Sequence, residues 1–79
     1  MPDHLWVGDI GRTQIRALPD ELRKAARLLI MTLLDAPVPP EASEYEGVAD
    51  AYRISAFNIT VYYSVIGEDV MIWQVEADS

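Results

Sequence analysis

Apolar residues recur at helical spacing in the first part of the chain and alternate with polar residues after residue 50. The short apolar run His4–Gly8 predicts a first β-strand. A first helix is predicted over Ile10–Leu18, with Asp9 as its N-terminal cap. After Pro19, a second helix is predicted over Asp20–Leu34, because its acidic first turn complements the positive end of the helix dipole.

Residues 35–50 are rich in proline and carboxylates, and we expect an acidic loop there because proline cannot continue a helix. The three segments that follow, 51–57, 58–65 and 69–75, are rich in β-branched and aromatic residues and predict three strands. This order predicts an α+β fold, in which an N-terminal strand and a helical hairpin precede a three-stranded antiparallel meander. We expect a single domain over residues 1–79.

Gly67 is placed to supply the positive φ of a hairpin turn between the last two strands. In the middle strand, apolar and polar residues alternate strictly, so one sheet face is predicted to be buried and the other polar. The last strand is largely apolar on both faces and does not show which face is buried. We expect the core to combine residues of the second helix and of the strands, namely Leu22, Leu29, Leu33, Ile54, Val61, Tyr63 and Trp73.

The second helix carries more apolar residues than one core-facing stripe needs. Leu28, Met31 and Leu34 lie outside that stripe, next to Lys24 and Arg27. In one interpretation, the first helix or the long loop covers this second face. In the other, the face is an exposed patch that binds another protein chain, either a different protein or a second copy in a homodimer.

Composition excludes several kinds of site. The chain has no cysteine and one histidine, so thiolate and histidine-rich metal sites are excluded, and we expect no metal or cofactor. Its net charge is −7, and most of the acids come after residue 27, where the chain contains nine carboxylates and one cation, Arg53. Because phosphate backbones repel an acidic chain, nucleic acid is disfavoured as a partner except through the basic residues of the predicted helices.

Membrane insertion is not expected from the sequence. No run approaches the roughly 20 consecutive apolar residues that a membrane-spanning helix requires. The N-terminal residues lack the basic start and apolar centre of a secretory signal. We therefore expect a cytoplasmic protein with no membrane partner.

With this order of elements in place, the chain resembles the RelE/ParE toxin superfamily. Residues 17–39 resemble the second helix of that family, which commonly opens with Leu-Pro and is followed by proline. Tyr52, Arg53 and Ile54 match the start of the family's strand pattern, and Tyr63 matches its closing tyrosine. The likeness covers nearly the whole chain and lies in order and spacing more than in identity.

The resemblance also shows departures at the positions that carry chemistry. Ser55 and Thr60 stand where the family often has arginines, and Phe57 stands where it has the glycine of a bend. Arg53 is the one cation on the predicted sheet and the candidate for a catalytic cation, although a lone arginine more often makes a structural ion pair. Glu68 or Glu76 could act as a base.

The resemblance therefore implies a divergent member whose catalytic residues are largely absent. It implies a toxin-like component of a type II toxin–antitoxin system that acts through protein binding, with ribonuclease activity disfavoured but not excluded. The partner is expected to be an antitoxin-like protein or a second copy of the chain, and the partner-binding residues are expected to be Lys24, Arg27, Leu28, Met31 and Leu34. The alternative is a non-toxic interaction or dimerisation module that uses the same fold.

Overall fold

The computed structural model describes residues 5–78, which form two helices and five strands. The predicted α+β class and order of elements are confirmed. His4, which the prediction included in the first strand, lies outside the described residues. The elements in chain order are β1 (Leu5–Val7), α1 (Asp9–Ala17), α2 (Asp20–Asp35), β2 (Ser43–Glu44), β3 (Ala51–Ala56), β4 (Ile59–Ile66) and β5 (Asp69–Ala77).

The strands form one five-stranded sheet in the order β1-β5-β4-β3-β2. The predicted meander β3-β4-β5 is antiparallel, and β1 joins its edge by pairing parallel to β5. The prediction of an uninterrupted loop over 35–50 was incomplete, because β2 lies inside it. Ser43 pairs with Arg53 and Glu44 with Tyr52 at the other edge of the sheet. Two residues are too few to show an alternating pattern.

The start of α1 differs from the prediction. Asp9 is the first residue of α1 rather than its cap, and the cap position is occupied by Gly8 without a side-chain hydrogen bond. The Gly8 backbone N–H instead donates to the Ile72 carbonyl over 2.9 Å, which holds the start of α1 against β5. The Asp9 carboxylate still lies in the first turn, where the helix dipole favours an anion.

The hairpin turn between β3 and β4 is formed by two residues that were predicted to lie in strands. Phe57 and Asn58 have φ angles of 56° and 66°, and positive φ at both central positions is the signature of a type I′ turn. Asparagine adopts this conformation readily, whereas phenylalanine rarely does. The next hairpin uses Gly67, at a φ of 62°, as predicted.

A β-bulge at Trp73 decides which residues of β5 face the core. Tyr62 pairs with Gln74 and Tyr63 pairs with Ile72, so Trp73 is an extra residue without a register partner. The bulge shifts the alternation by one position, and Ile72 and Val75 are both 1% exposed in spite of their odd spacing. The prediction of Trp73 in the core was wrong, because the face of β5 that carries Val70 and Ile72 is the buried one, and Trp73 lies on the same face as the exposed Met71.

The core lies between α2 and one face of the sheet. Leu29, Leu33, Ile54, Val61 and Tyr63 are at most 2% exposed, as predicted, while the predicted Leu22 is half-buried against them. The buried apolar residues that form this core are Leu18, Ala25, Ala26, Leu29, Ile30, Leu33, Ile54, Ile59, Val61, Tyr63, Val70, Ile72 and Val75.

Helix α1 completes the edge of β5 beyond the point where β1 ends. Strand β1 pairs with β5 only as far as Ile72. Beyond it, the Val75 backbone N–H donates to Gln14 Oε1 over 2.7 Å, so a side-chain amide of α1 replaces the missing strand carbonyl. This bond satisfies a half-buried donor that the bulge and the short β1 leave without a strand partner.

Replacing Leu29 by alanine is expected to lower the free energy of unfolding by about 2–5 kcal/mol, because the residue is 2% exposed in the core. The adjacent Leu28 is 56% exposed, and its replacement by alanine is the matched control, with an expected change within about 0.5 kcal/mol. Urea denaturation measures both values. Equal losses for the two variants would show that the core face of α2 is misassigned.

The stability of the protein is expected to fall at alkaline pH because of Tyr63. Burial raises the pKa of Tyr63 to about 12 from 10.0, and its hydroxyl donates to the Pro37 carbonyl over 2.8 Å. A raised pKa contributes stability that is complete below pH 10 and is lost as the pH rises toward 12, at up to about 1.4 kcal/mol per pH unit.

Tyr63→Phe removes both the hydrogen bond and this pH dependence. At pH 9 the variant is expected to be less stable than the unsubstituted protein by about 1 kcal/mol. The difference should shrink or reverse between pH 10 and 12, measured by urea denaturation. Parallel pH profiles for the two proteins would contradict the assignment to Tyr63.

Candidate functional site

Five residues of α2 predicted to bind a partner form a surface that we call the α2 patch, namely Lys24, Arg27, Leu28, Met31 and Leu34. Leu28 and Met31 are 56% and 58% exposed, Lys24 and Arg27 are exposed, and Leu34 is half-buried. Within residues 5–78, neither α1 nor the loop after α2 covers Leu28 and Met31. The patch is thus available at the surface, and its binding role stays a prediction.

Next to the α2 patch, a groove of about 290 Å³ runs between α2, α1 and β1. Arg27, Met31 and Leu34 of the patch line it, whereas Lys24 and Leu28 do not. The patch therefore divides into a groove side and a fully exposed side of the helix. The residues that line the groove are Leu5, Ile15, Arg23, Arg27, Ile30, Met31 and Leu34.

Arg23 has a structural role at this groove that the sequence did not indicate. Its Nη2 donates to the Leu18 carbonyl over 3.1 Å, beyond the end of α1, and its Nη1 lies 3.4 Å from Asp20 Oδ1. Arg23 thus ties the last carbonyls of α1 to the first turn of α2. Among the residues that the structure describes, Lys24 and Arg27 have no such partner and remain available to an incoming anion.

The opposite face of the sheet, which we call the open face, carries Arg53, Ser55 and Thr60, three of the positions that the family resemblance singled out, whereas Ile54 and Tyr63 lie in the core. Arg53 of β3 lies opposite Tyr62 of β4, and Tyr62 lies opposite Gln74 of β5. Arg53 is exposed and makes no ion pair with a described carboxylate. The open face consists of Arg53, Ser55, Thr60, Tyr62, Ser64, Met71, Trp73, Gln74 and Glu76, with Tyr45 from the segment after β2.

Three aromatic rings from distant parts of the chain meet on the open face. The centroids of Tyr45 and Tyr62 lie 5.7 Å apart, and Trp73 lies 5.6 Å from each of them. Tyr45 meets the other two rings edge to face, which is a favourable arrangement of aromatic quadrupoles. Sequence analysis missed this trio, because strand pairing brings together three rings that are far apart in the chain.

The carboxylate of Glu76 is held beside this aromatic trio. Tyr62 donates its hydroxyl to Glu76 Oε1 over 2.7 Å, and Gln74 Nε2 lies 3.5 Å from Glu76 Oε2. The hydrogen bond to Glu76 is the main cause that raises the pKa of Tyr62. Glu76 is therefore a fixed acceptor on the open face, whereas Glu68, the other predicted base, lies in the turn between β4 and β5.

Ser55 and Thr60, at the positions where the family often has arginines, form a chain of hydroxyl groups. Thr60 donates to Asp78 Oδ1 over 2.7 Å, so Ser55 donates to Thr60 Oγ1 over 2.7 Å. The chain ends on a carboxylate and satisfies a threonine that is only 6% exposed. This part of the open face thus carries negative rather than positive charge.

Cleavage of RNA needs cations that stabilise the extra charge on phosphorus in the transition state. Within the described residues, the open face offers Arg53 alone, and the carboxylates on the same face, Glu76 and Asp78, add negative charge. Among residues 5–78, no group of three or more His, Cys, Asp or Glu residues is arranged to hold a metal ion. No helix in that range combines the length and the apolar character that crossing a bilayer requires.

Comparison with known proteins finds likeness in structure only. No protein-family model matches this sequence, and no curated protein matches it significantly. The isolated RelE toxin of E. coli is similar to this chain with a TM-score of 0.81 and 20% identity, over 95% of this chain and 83% of that one.

Two structures of toxin–antitoxin complexes show the same likeness. A chain of the RelBE2 complex of Mycobacterium tuberculosis has a TM-score of 0.82 and 16% identity, over 98% of this chain and 99% of that one. A chain of the archaeal RelE–RelB complex of Pyrococcus horikoshii has a TM-score of 0.79 and 23% identity, over 98% and 96%. At these identities the likeness establishes the fold: the chain has the α+β fold of the RelE toxins.

Proposed function

We propose that this chain is the toxin-like component of a type II toxin–antitoxin pair, that it works in the cytoplasm, and that it acts by binding another protein. Solved proteins of the same fold include RelE toxins in complex with RelB antitoxins. The observation that carries the proposal is the exposed α2 patch, where large apolar side chains lie next to two cations without a described partner.

The α2 patch has the chemistry of a protein-binding surface. Burying Leu28 and Met31 against a partner would contribute about 1.5–3 kcal/mol for each side chain that is fully removed from water. Methionine adapts its shape to a partner surface, and the groove beside Met31 offers room for a side chain of that partner. Lys24 and Arg27 would steer an acidic segment and fix its register. The proposed partner is an antitoxin-like protein with an acidic, amphipathic segment.

The proposal includes the absence of ribonuclease activity. Arg53 is the one cation on the open face, and Ser55 and Thr60 form a chain that ends on Asp78 instead of supplying positive charge. Glu76 is already engaged by Tyr62. A phosphorane with a developing negative charge would meet a single arginine and two carboxylates.

A non-toxic module that dimerises is supported by the same patch. A self-complementary contact about a two-fold axis is the commonest way in which a protein associates with itself, and Leu28 and Met31 could pack against their copies. In such a dimer, Lys24 and Arg27 of one chain would lie near the same two cations of the other chain and repel them. Because that repulsion disfavours self-association, the heterologous partner is the preferred proposal.

Met31→Lys is expected to leave the fold intact and to abolish association, because a 58% exposed residue in the centre of the patch becomes charged. Ile66→Lys is the matched control, since Ile66 is 57% exposed at the far end of β4. Light scattering and capture of the protein encoded by the neighbouring gene measure association. If Met31→Lys unfolds the protein, Met31 belongs to the core. If the unsubstituted protein, Met31→Lys and Ile66→Lys all associate equally, the α2 patch is not part of the interface.

Expression of the chain alone is expected to arrest growth, and Arg53→Ala is expected to arrest it equally, because the proposed action does not use a catalytic arginine. The purified chain should leave messenger RNA intact on translating ribosomes. Cleavage that Arg53→Ala abolishes would show that a ribonuclease site is present. Normal growth during expression would favour the non-toxic module.

A further inference from the structure

The open face is a second surface that the proposed function does not use. The α2 core residues lie on the other side of the sheet, and α1 lies against β5. The open face nevertheless presents large side chains: Tyr45 is 38% exposed, Met71 is 43% exposed, and Trp73 and Tyr62 are half-buried. Tyrosine, tryptophan and methionine are the residues enriched in the centres of protein interfaces.

The charge around these rings is negative. The open face is built from the part of the chain after residue 27, which contains nine carboxylates and one cation. Glu76 accepts a hydrogen bond from Tyr62, whose ring lies 5.6 Å from that of Trp73, and Asp78 closes the hydroxyl chain at the end of β5. The single cation, Arg53, is exposed, and no described carboxylate lies within ion-pair distance of it.

We infer that the open face binds a basic segment of another protein, with an arginine side chain lying on the aromatic trio and bonded to Glu76. A planar guanidinium stacks on the face of tryptophan and donates paired hydrogen bonds to a carboxylate, so one arginine uses both features at once. This surface is independent of the α2 patch, whose cations select an acidic segment. Binding at the open face can therefore be tested separately from the proposed function.

Two other occupants fit the surface less well. Single-stranded RNA can stack bases on aromatic rings, but its phosphates would meet Glu76 and Asp78. A second copy could present its basic α2 to the open face, but such a head-to-tail contact grows into an open filament unless its rotation closes a ring. A basic segment of a different protein satisfies the rings and the carboxylates without either difficulty.

Trp73 provides a direct reporter of binding. The chain has two tryptophans, so Trp6→Phe leaves Trp73 as the single one. In this background, a short peptide of alternating arginine and serine is expected to change the Trp73 fluorescence to saturation. A peptide of alternating glutamate and serine and an oligouridylate of equal length are expected to cause no change.

Variants test the assignment to Glu76. Glu76→Gln is expected to weaken binding of the arginine peptide by about tenfold or more, the effect of losing one charge-assisted contact. Glu21→Gln is the matched control, because it makes the same charge change at an exposed position of α2. Tyr62→Phe, which keeps the ring but releases the carboxylate, should also weaken binding. Met31→Lys should leave it unchanged.

Several outcomes would overturn the inference. If the arginine peptide causes no saturable change in fluorescence, the open face has no such binding site. If Glu76→Gln and Glu21→Gln weaken binding equally, the peptide responds only to the net charge of the protein. Saturable binding of the oligouridylate in preference to the peptide would identify RNA as the occupant. A concentration-dependent mass of the protein alone that Glu76→Gln abolishes would identify a second copy.

Discussion

One unpaired residue in the last strand organises both sides of the molecule. Because Trp73 is bulged, Val70, Ile72 and Val75 all face the core, while the indole ring lies on the opposite side of the sheet. The three aliphatic side chains form part of the apolar sheet surface against which α2 packs. Without the bulge, the residues after Trp73 would exchange faces, so Val75 would leave the core and Gln74 and Glu76 would enter it.

The bulge also fixes the position of α1. It coincides with the end of the short β1, so the Val75 N–H has no strand partner and bonds to Gln14 of α1. The start of α1 is held to the same strand through Gly8 and Ile72, and Arg23 ties its far end to α2. These three bonds hold α1 beside β5 and α2, where Ile15 of α1 lines the groove that the α2 patch borders.

The two faces of the molecule differ in chemistry because charge is segregated along the chain. The helices hold five of the six cations, and the strands and loops hold most of the acids. Folding places the helices on one side of the sheet and exposes the acidic strand residues on the other. The RelE fold therefore presents here a basic, apolar surface on α2 and an acidic, aromatic one on the sheet, where Ser55, Thr60 and Asp78 take the place of cations.

The sequence alone determined the features that depend on near neighbours. Periodicity and proline positions gave α2 to within one residue, alternation gave β4 and its core face, and Gly67 gave a hairpin turn. The exposed residues of the α2 patch were also visible, because they lie on a single helix. Only the tertiary structure decided the bulge at Trp73, the pairing of β2, the Gln14 bond and the meeting of Tyr45, Tyr62 and Trp73. The physical reason is that these features depend on hydrogen-bond partners and packing from distant parts of the chain, which leave no periodic pattern in the local sequence.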